Sequence, residues 1–306
     1  MTRAPAVTRS DDEVLDGIPV LAGQGRETTP LPGGLTNHNV RVRTASGLDV
    51  VVRISSPDTG LLGVDRHTEF VNTLAAAATG VGAPVVDYLG GQGVLVVAFL
   101  PGRTWGDADV AANLPRLASA LRRLHAGPGF VGRFDMTALR RRYLEVVREK
   151  GFRLPNGYLD LEPAARRVEE VLALAPEPIV PCHNDLLAAN VLDDGGDLRI
   201  IDYEYSGMNE PSFELGNVVA EARLGPDALA ELCAAYYERE DPADTARAEL
   251  WGFLARYGWT LWGVIQDGAS DIEYDFLGWA AAKLDPAREL AGGPRLERLL
   301  AAVASR

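Results

Sequence analysis

Cysteine is scarce in this chain: Cys182 and Cys233 are the only two among 306 residues. Two thiols cannot build a disulfide framework, and these lack the spacing of a zinc site, so a reducing compartment is the natural setting. Long apolar runs are missing too. No stretch reaches the roughly 18 uninterrupted apolar residues of a membrane span. Met1 to Asp12 is polar and has no apolar h-region, so it does not read as a secretory leader. Positive charge is in deficit, with 30 Lys and Arg against 43 Asp and Glu and a net charge of −13. Binding to nucleic-acid phosphates draws its affinity from clustered Lys and Arg, so the charge argues against an anionic polymer as a partner. The expectation is a cytoplasmic protein that neither inserts into membranes nor binds nucleic acid. Its acidity suits a small cationic partner, although acidity also serves solubility. A homodimer is an open alternative to a monomer.

What is present divides near Leu100. From Leu31 to Leu100 the pattern is strand-like: Asn39 to Arg43 alternates, Ala45-Ser46-Gly47 can turn, and Val50 to Ile54 is β-branched, which predicts a hairpin. Asp65 to Ala78 has helical composition, and Val85 to Tyr88 and Val94 to Phe99 are further strands flanking Gly90-Gly91. Beyond Pro101-Gly102 helical periodicity dominates, predicting helices over 114–125, 138–150, 162–174, 213–222, 227–239, 245–266, 272–284 and 295–303. The fold class expected is α+β with two lobes: a small, mostly antiparallel β lobe over 1–100 and a larger, mostly α lobe over 101–306.

One interruption of the helical part carries the chemistry. His183-Asn184-Asp185-Leu186-Leu187-Ala188-Ala189-Asn190 is followed by a turn at Asp194-Gly195 and by Ile200-Ile201-Asp202 on a return strand. This is the spacing of the H-x-D-x-x-x-x-N catalytic loop of kinases with their metal-binding Asp. A carboxylate must take the proton of the acceptor hydroxyl, and hard Mg2+ ions need oxygen ligands. Asp185 is therefore the expected base, Asn190 and Asp202 the expected metal ligands, and His183 a structural member of the loop. Taken singly, each of these would be an ordinary loop or turn residue; the full spacing argues otherwise.

A kinase also needs a cover over the phosphates and a cation beside them. Gly33 and Gly34 allow close backbone approach, and Thr36 and Asn37 offer donors to phosphate oxygens, although a glycine pair before a strand is more often only a turn. Arg53, sharing a strand face with Val51, is the candidate cation, with Arg in place of the usual Lys. Glu69 is its expected helix partner, against the alternative of a solvated helix face.

Together, Gly33 to Asn37, Arg53, the loop from His183 to Asn190, Ile201-Asp202-Tyr203-Glu204-Tyr205 and Phe213-Glu214-Leu215-Gly216-Asn217 resemble the choline/ethanolamine kinase branch of the aminoglycoside-phosphotransferase-like superfamily. The resemblance runs from about Leu31 to Leu284. It implies a protein-kinase-like fold and ATP- and Mg2+-dependent phosphorylation of a primary hydroxyl, with adenine in the interlobe cleft near Val97 and Phe99. It also implies an acceptor pocket. Trp259 and Trp262, three residues apart on one helix, with Tyr205, Tyr274, Phe276 and Trp279, can form aromatic walls for an ammonium group, and Glu204 can add charge. Aromatics at helical spacing are otherwise core packing. Leu187-Ala188-Ala189 is less polar than in eukaryotic choline kinases and looks like a bacterial variant. Two other readings stand beside the small cationic alcohol. One is an aminoglycoside or aminosugar phosphotransferase using Asp267, Asp271, Glu273 and Asp275. The other is a catalytically silent kinase-like binding protein, against which the retained Asp185, Asn190 and Asp202 speak.

Overall fold

The computed structural model describes residues 10–32, 37–55 and 60–305. The chain divides into two compact units, Met1–Ser56 with Pro84–Leu100 and Pro57–Ala83 with Pro101–Arg306.

The first unit is a five-stranded antiparallel sheet. It comprises β1 (Arg26–Leu31), β2 (Asn37–Thr44), β3 (Asp49–Ser55), β4 (Val85–Leu89) and β5 (Val94–Ala98), in the order β1-β2-β3-β5-β4. The expected hairpin is β2–β3, and its turn is closed where Gly47 takes φ +91°, a conformation L side chains resist. Strand alternation places Val40, Val42, Val50, Val52, Val94 and Val96 on one face. A short helix, α1 (Asp11–Asp16), covers that face with Val14 and Leu15, and Ile18 and Leu21 follow it into the core. Ser10 and Glu13 form a capping box at its start, a signal the sequence pattern passed over.

In the second unit α2 (Arg66–Ala78) begins at the N-cap Asp65, whose side chain accepts from the Thr68 N–H. Residues 57–83 were expected in the N-terminal lobe. They cluster with the larger unit because Ala76 and Val81 enter its core and Asn72 bridges buried backbone there. The Asn72 amide donates to Ser206 O at 3.1 Å and accepts from Val131 N at 2.7 Å. Next come β6 (Arg103–Thr104), α3 (Asp107–Ala112), α4 (Leu114–His125), α5 (Met136–Lys150) and α6 (Glu162–Leu174). Four short strands follow, β7 (Val180–Cys182), β8 (Val191–Asp193), β9 (Arg199–Ile200) and β10 (Gly207–Asn209). Five helices complete the unit: α7 (Pro211–Glu221), α8 (Pro226–Tyr237), α9 (Pro242–Ala269), α10 (Phe276–Gly292) and α11 (Pro294–Ala304).

Helix α9 is the axis of this unit, and α7 crosses it at very close range. A Cβ on Gly216 would lie 1.9 Å from the Ala248 carbonyl oxygen, and one on Gly252 would lie 2.9 Å from Gly216 O. Helix α10 departs most from its predicted span of 272–284. It starts four residues later, where Asp275 caps Gly278 N at 2.8 Å, and it runs on through Pro286 to Gly292. Packing of Ala280, Leu284 and Ala287 into the interior outweighs the backbone hydrogen bond that Pro286 forfeits.

Candidate active site

β7 delivers the chain into the loop that the motif marked, and β8 and β9 return it to Asp202. The Ile201 N–H donates to Asn190 O at 3.0 Å, which sets Asp202 beside the end of the loop. The Asn190 amide nitrogen donates to Asp185 O at 3.1 Å. That bond fixes the side chain and turns its oxygen, the atom a hard metal ion needs, to the other side. Asn190 and Asp202 thus offer an all-oxygen donor set that fits magnesium. His183 is structural, as expected: its Nε2–H donates to Ile201 O at 2.8 Å, while Nδ1 accepts from the Asp185 N–H at 3.3 Å.

Two loop residues sit in the left-handed region without being glycine, Asn184 at φ 68° and Asp202 at φ 72°. Such a conformation costs on the order of 1–2 kcal/mol and survives only where the surroundings over-determine it. Around Asn184 they do. Its side-chain nitrogen donates to Cys182 O and Tyr205 O, both at 3.1 Å, and its side-chain oxygen accepts from Asn209 at 2.9 Å. Its backbone N–H goes to Glu214 Oε1 at 2.9 Å, beside the His183 N–H, which donates to Glu214 Oε2 at 2.5 Å.

Glu214 is fully buried on α7. Burial alone would raise its carboxyl, but the hydrogen bond and charge of His125, the charge of His183 and the His183 N–H prevail and hold it below its ordinary value. His125, Cys182 and Glu214 bring three donor atoms within 4.8 Å of one another. They form a prop under the loop: His125 Nδ1 is engaged by the Tyr236 hydroxyl at 2.7 Å, and Glu214 holds the two loop amides.

Glu214, Asn217 and Glu221 of α7 are spaced i, i+3 and i+7 and so form a polar line along one face. Asn217 donates to Asn184 O at 3.4 Å and accepts the Trp259 indole N–H at 3.0 Å. Glu221 accepts from the Lys283 ammonium at 2.5 Å. No motif assigns a role to Glu214, Asn217, Glu221 or Lys283, although the polar line on α7 is a usable signal. Asp185 responds to this neighbourhood: burial, then the charges of Glu221, Glu204 and Asp202, push its carboxyl well above the usual carboxylate range, against the opposing charge of Lys283.

The aromatic residues also assemble. Trp259 is packed edge-on against Tyr205 with ring centroids 5.0 Å apart. One turn later, Trp262 meets Phe276 at 6.0 Å and Trp279 at 5.0 Å, and Tyr274 lies 4.9 Å from Phe276. The indoles are 2% and 7% exposed, and Trp259 reaches the loop through Asn217. The Tyr143 hydroxyl donates to Leu62 O at 2.9 Å, so Tyr205 must be the donor across the 3.1 Å between the two hydroxyls. Glu204 is engaged by Arg66 at 3.1 Å, and the same guanidinium holds Glu69 at 2.7 Å. Glu69 is 4% exposed, which excludes the solvated helix face weighed for it. Asp267, Asp271, Glu273 and Asp275 are all exposed, and Asp275 serves as the α10 cap.

Within the first unit, Arg53 faces away from the valine core beside Val51, as alternation requires. Asn37 is buried at the start of β2, opposite Ser55. Val97 is half-buried on β5, and the Phe99 ring lies beneath the Arg41 guanidinium at 3.4 Å. Gly33, Gly34 and Thr36 fall outside the described residues. Among the described residues no helix is long and apolar enough to cross a membrane.

Comparison with known proteins agrees with this geometry. Residues 27–251 match the phosphotransferase enzyme family. Ethanolamine kinase 1 of Mus musculus is 26% identical, over 82% of this chain and 80% of its own. Protein LicA of Haemophilus influenzae is 29% identical, over 84% of this chain and 78% of its own. The crystal structure of a choline/ethanolamine kinase family protein from Mesorhizobium loti superposes with a TM-score of 0.83 at 33% identity, over 96% of this chain and 99% of that one. A protein-kinase-like fold, an ordered H-x-D loop and this similarity over nearly the whole chain lead to one assignment: the protein is an ATP-dependent phosphotransferase acting on an alcohol, and it belongs to the choline/ethanolamine kinase family.

Proposed function

We propose that the protein transfers the γ-phosphoryl group of ATP to the hydroxyl of choline or a related amino alcohol such as ethanolamine. The observation that carries this reading is the placement of the Trp259/Tyr205 and Trp262/Phe276/Trp279 clusters in the unit that holds Asp185. A small ammonium group needs aromatic faces, and the hydroxyl two carbons away needs a base. The names of the relatives point the same way.

In the reaction the acceptor oxygen attacks the γ-phosphorus, the bond from that phosphorus to the β–γ bridging oxygen breaks, and ADP departs. Asp185 takes the hydroxyl proton. Asn190 and Asp202 would hold magnesium, which supplies when bound the positive charge that neutralises the phosphate oxygens and favours the ionised form of Asp185. Arg53, with its permanent charge, is assigned to the phosphates, and Asn37 with Gly33, Gly34 and Thr36 forms the phosphate cover, while Glu69 is held by Arg66 within its own unit. Val97 and Phe99 are assigned to the adenine through their backbone. On the acceptor side, Tyr205, Trp259, Trp262 and Phe276 supply the aromatic faces, and Glu204, already paired with Arg66, adds charge to the wall rather than a separate cation site.

The test is ADP release in the presence of magnesium with choline, ethanolamine and a panel of aminoglycosides at matched concentrations. Turnover with an amino alcohol supports the assignment. Turnover confined to aminoglycosides would return the tryptophans to the core and overturn the acceptor.

A further inference from the structure

The acceptor side of the unit already contains a bound cation, and it belongs to the chain. The Lys283 ammonium sits 4.0 Å from the centroid of the Trp279 ring and 2.5 Å from the Glu221 carboxylate. Both side chains of the ion pair are buried, Lys283 at 9% exposure and Glu221 at 5%. An aromatic face and a carboxylate are the two elements that recognise an ammonium ligand. Trp279 in turn packs on Trp262, so this internal cation borders the same wall. Glu221 lies one turn beyond Asn217 on α7, and Asn217 donates to Asn184 O in the H-x-D loop, so the pair is tied to the loop through one helix.

We propose that Lys283 is the charge-selecting residue of the acceptor site: it occupies one cation subsite, formed by Trp279 and Glu221, so that acceptors with a single ammonium group are admitted and those with two are refused. The proposal rests on the amino-alcohol reading and narrows it. A second ammonium on the acceptor would meet a carboxylate that is already neutralised, a ring face that is already covered and a like charge in a desolvated setting. Replacing Lys283 by a neutral side chain of similar length uncovers the ring and releases Glu221. Arg256, whose charge also acts on Glu221, stays in place and keeps that carboxylate from being left wholly without a counter-charge.

The experiment measures ADP release by the full-length protein with ethanolamine, choline and 1,3-diamino-2-propanol, the last carrying two ammonium groups around one hydroxyl. In the wild type, kcat/KM should favour the singly charged acceptors over the diamine. In Lys283→Met that preference should shrink by about tenfold, through a lower KM for the diamine, and Lys283→Arg should restore it. A folded Lys283→Met enzyme whose preference is unchanged overturns the proposal, as does a Lys283→Arg enzyme that loses it. Should Lys283→Met not fold, Glu221→Gln gives the second reading. It leaves the lysine charge uncompensated and should raise KM for every cationic acceptor, most for the diamine; equal effects on all three acceptors would sink the idea. A wild type that turns over no amino alcohol fails at the underlying reading instead, and the two failures are told apart by the wild-type measurement.

Discussion

Replacing Glu214 by Gln should be among the most damaging isosteric changes available in this chain. The carboxylate accepts two backbone N–H groups, from His183 at 2.5 Å and Asn184 at 2.9 Å, with the His125 ring nitrogen 3.5 Å away. Hydrogen bonds to a buried charge contribute about 1.5–3 kcal/mol each, so the pair supplies roughly 3–6 kcal/mol. Glutamine offers one acceptor oxygen, whose neutral bond returns about 1 kcal/mol, and turns an NH2 group toward the other N–H, leaving a buried donor unsatisfied at about 1–3 kcal/mol. The net loss is on the order of 3–8 kcal/mol, its lower half matching the cost of breaking a buried charged network. For a unit of this size that corresponds to a fall in Tm of roughly 6 °C or more. Glu214→Asp keeps the charge but is one methylene short of spanning both amides, so it should fall between. The pH dependence has a definite sign. The folded-state pKa of Glu214 lies below its ordinary value, so its contribution is complete above about pH 5 and is lost as the pH falls through that depressed value. The gap in Tm between wild type and Glu214→Gln should be constant near neutrality and close on acidification. A gap below about 1 kcal/mol in urea unfolding at neutral pH would refute the reasoning.

Other substitutions separate catalysis from packing. Asp185→Asn should lower kcat by about 10²- to 10⁴-fold in the ADP-release assay. Because burial and neighbouring carboxylates raise the Asp185 pKa, the same change should also increase Tm, by an amount that grows with pH above the ordinary carboxylate range and vanishes below it; a lower Tm at alkaline pH would contradict this. Gly216→Ala forces a methyl group against the Ala248 carbonyl and should cost about 1–3 kcal/mol or more in denaturant unfolding, whereas Gly225→Ala, with open space around its added carbon, should cost far less. Trp259→Phe keeps an aromatic ring but leaves the buried Asn217 oxygen without its indole donor, so stability should fall by about 1–3 kcal/mol. Trp262→Ala should instead raise the acceptor KM more than the KM for ATP; equal changes in both would assign that indole to packing alone.

The catalytic loop was legible because its chemistry demands fixed residue types at fixed spacing, and the structure places Asp185, Asn190 and the segment leading to Asp202 in contact through backbone and amide hydrogen bonds. Helix spans such as Leu114–His125 and Glu162–Leu174 were readable from periodicity alone. The start of α10 was not, because Ile272 and Tyr274 continue an apolar rhythm while lying exposed, and only the Asp275 cap marks the true beginning. The allegiance of α2 was hidden for a different reason: it depends on Asn72 meeting Ser206, 134 positions away, and local pattern carries no such information. The Lys283–Glu221 pair escaped notice likewise, since a lysine in a helix reads as a solvated face until its partner 62 residues earlier is seen beside it.

The polar line along α7 has a consequence for how acceptor preference can be altered. Glu214, Asn217 and Glu221 serve the loop amides, the first tryptophan and the internal cation from one rigid rod, and Gly216 locks that rod onto α9. A change on α7 therefore perturbs the H-x-D loop and the proposed acceptor wall together. Helix α10 meets the proposed wall through Phe276, Trp279 and Lys283, and among the described residues the hydrogen bonds to the loop given above come from other elements. Substrate range can drift on α10 while α7 stays frozen, and a library aimed at new alcohols should be drawn from the later helix alone.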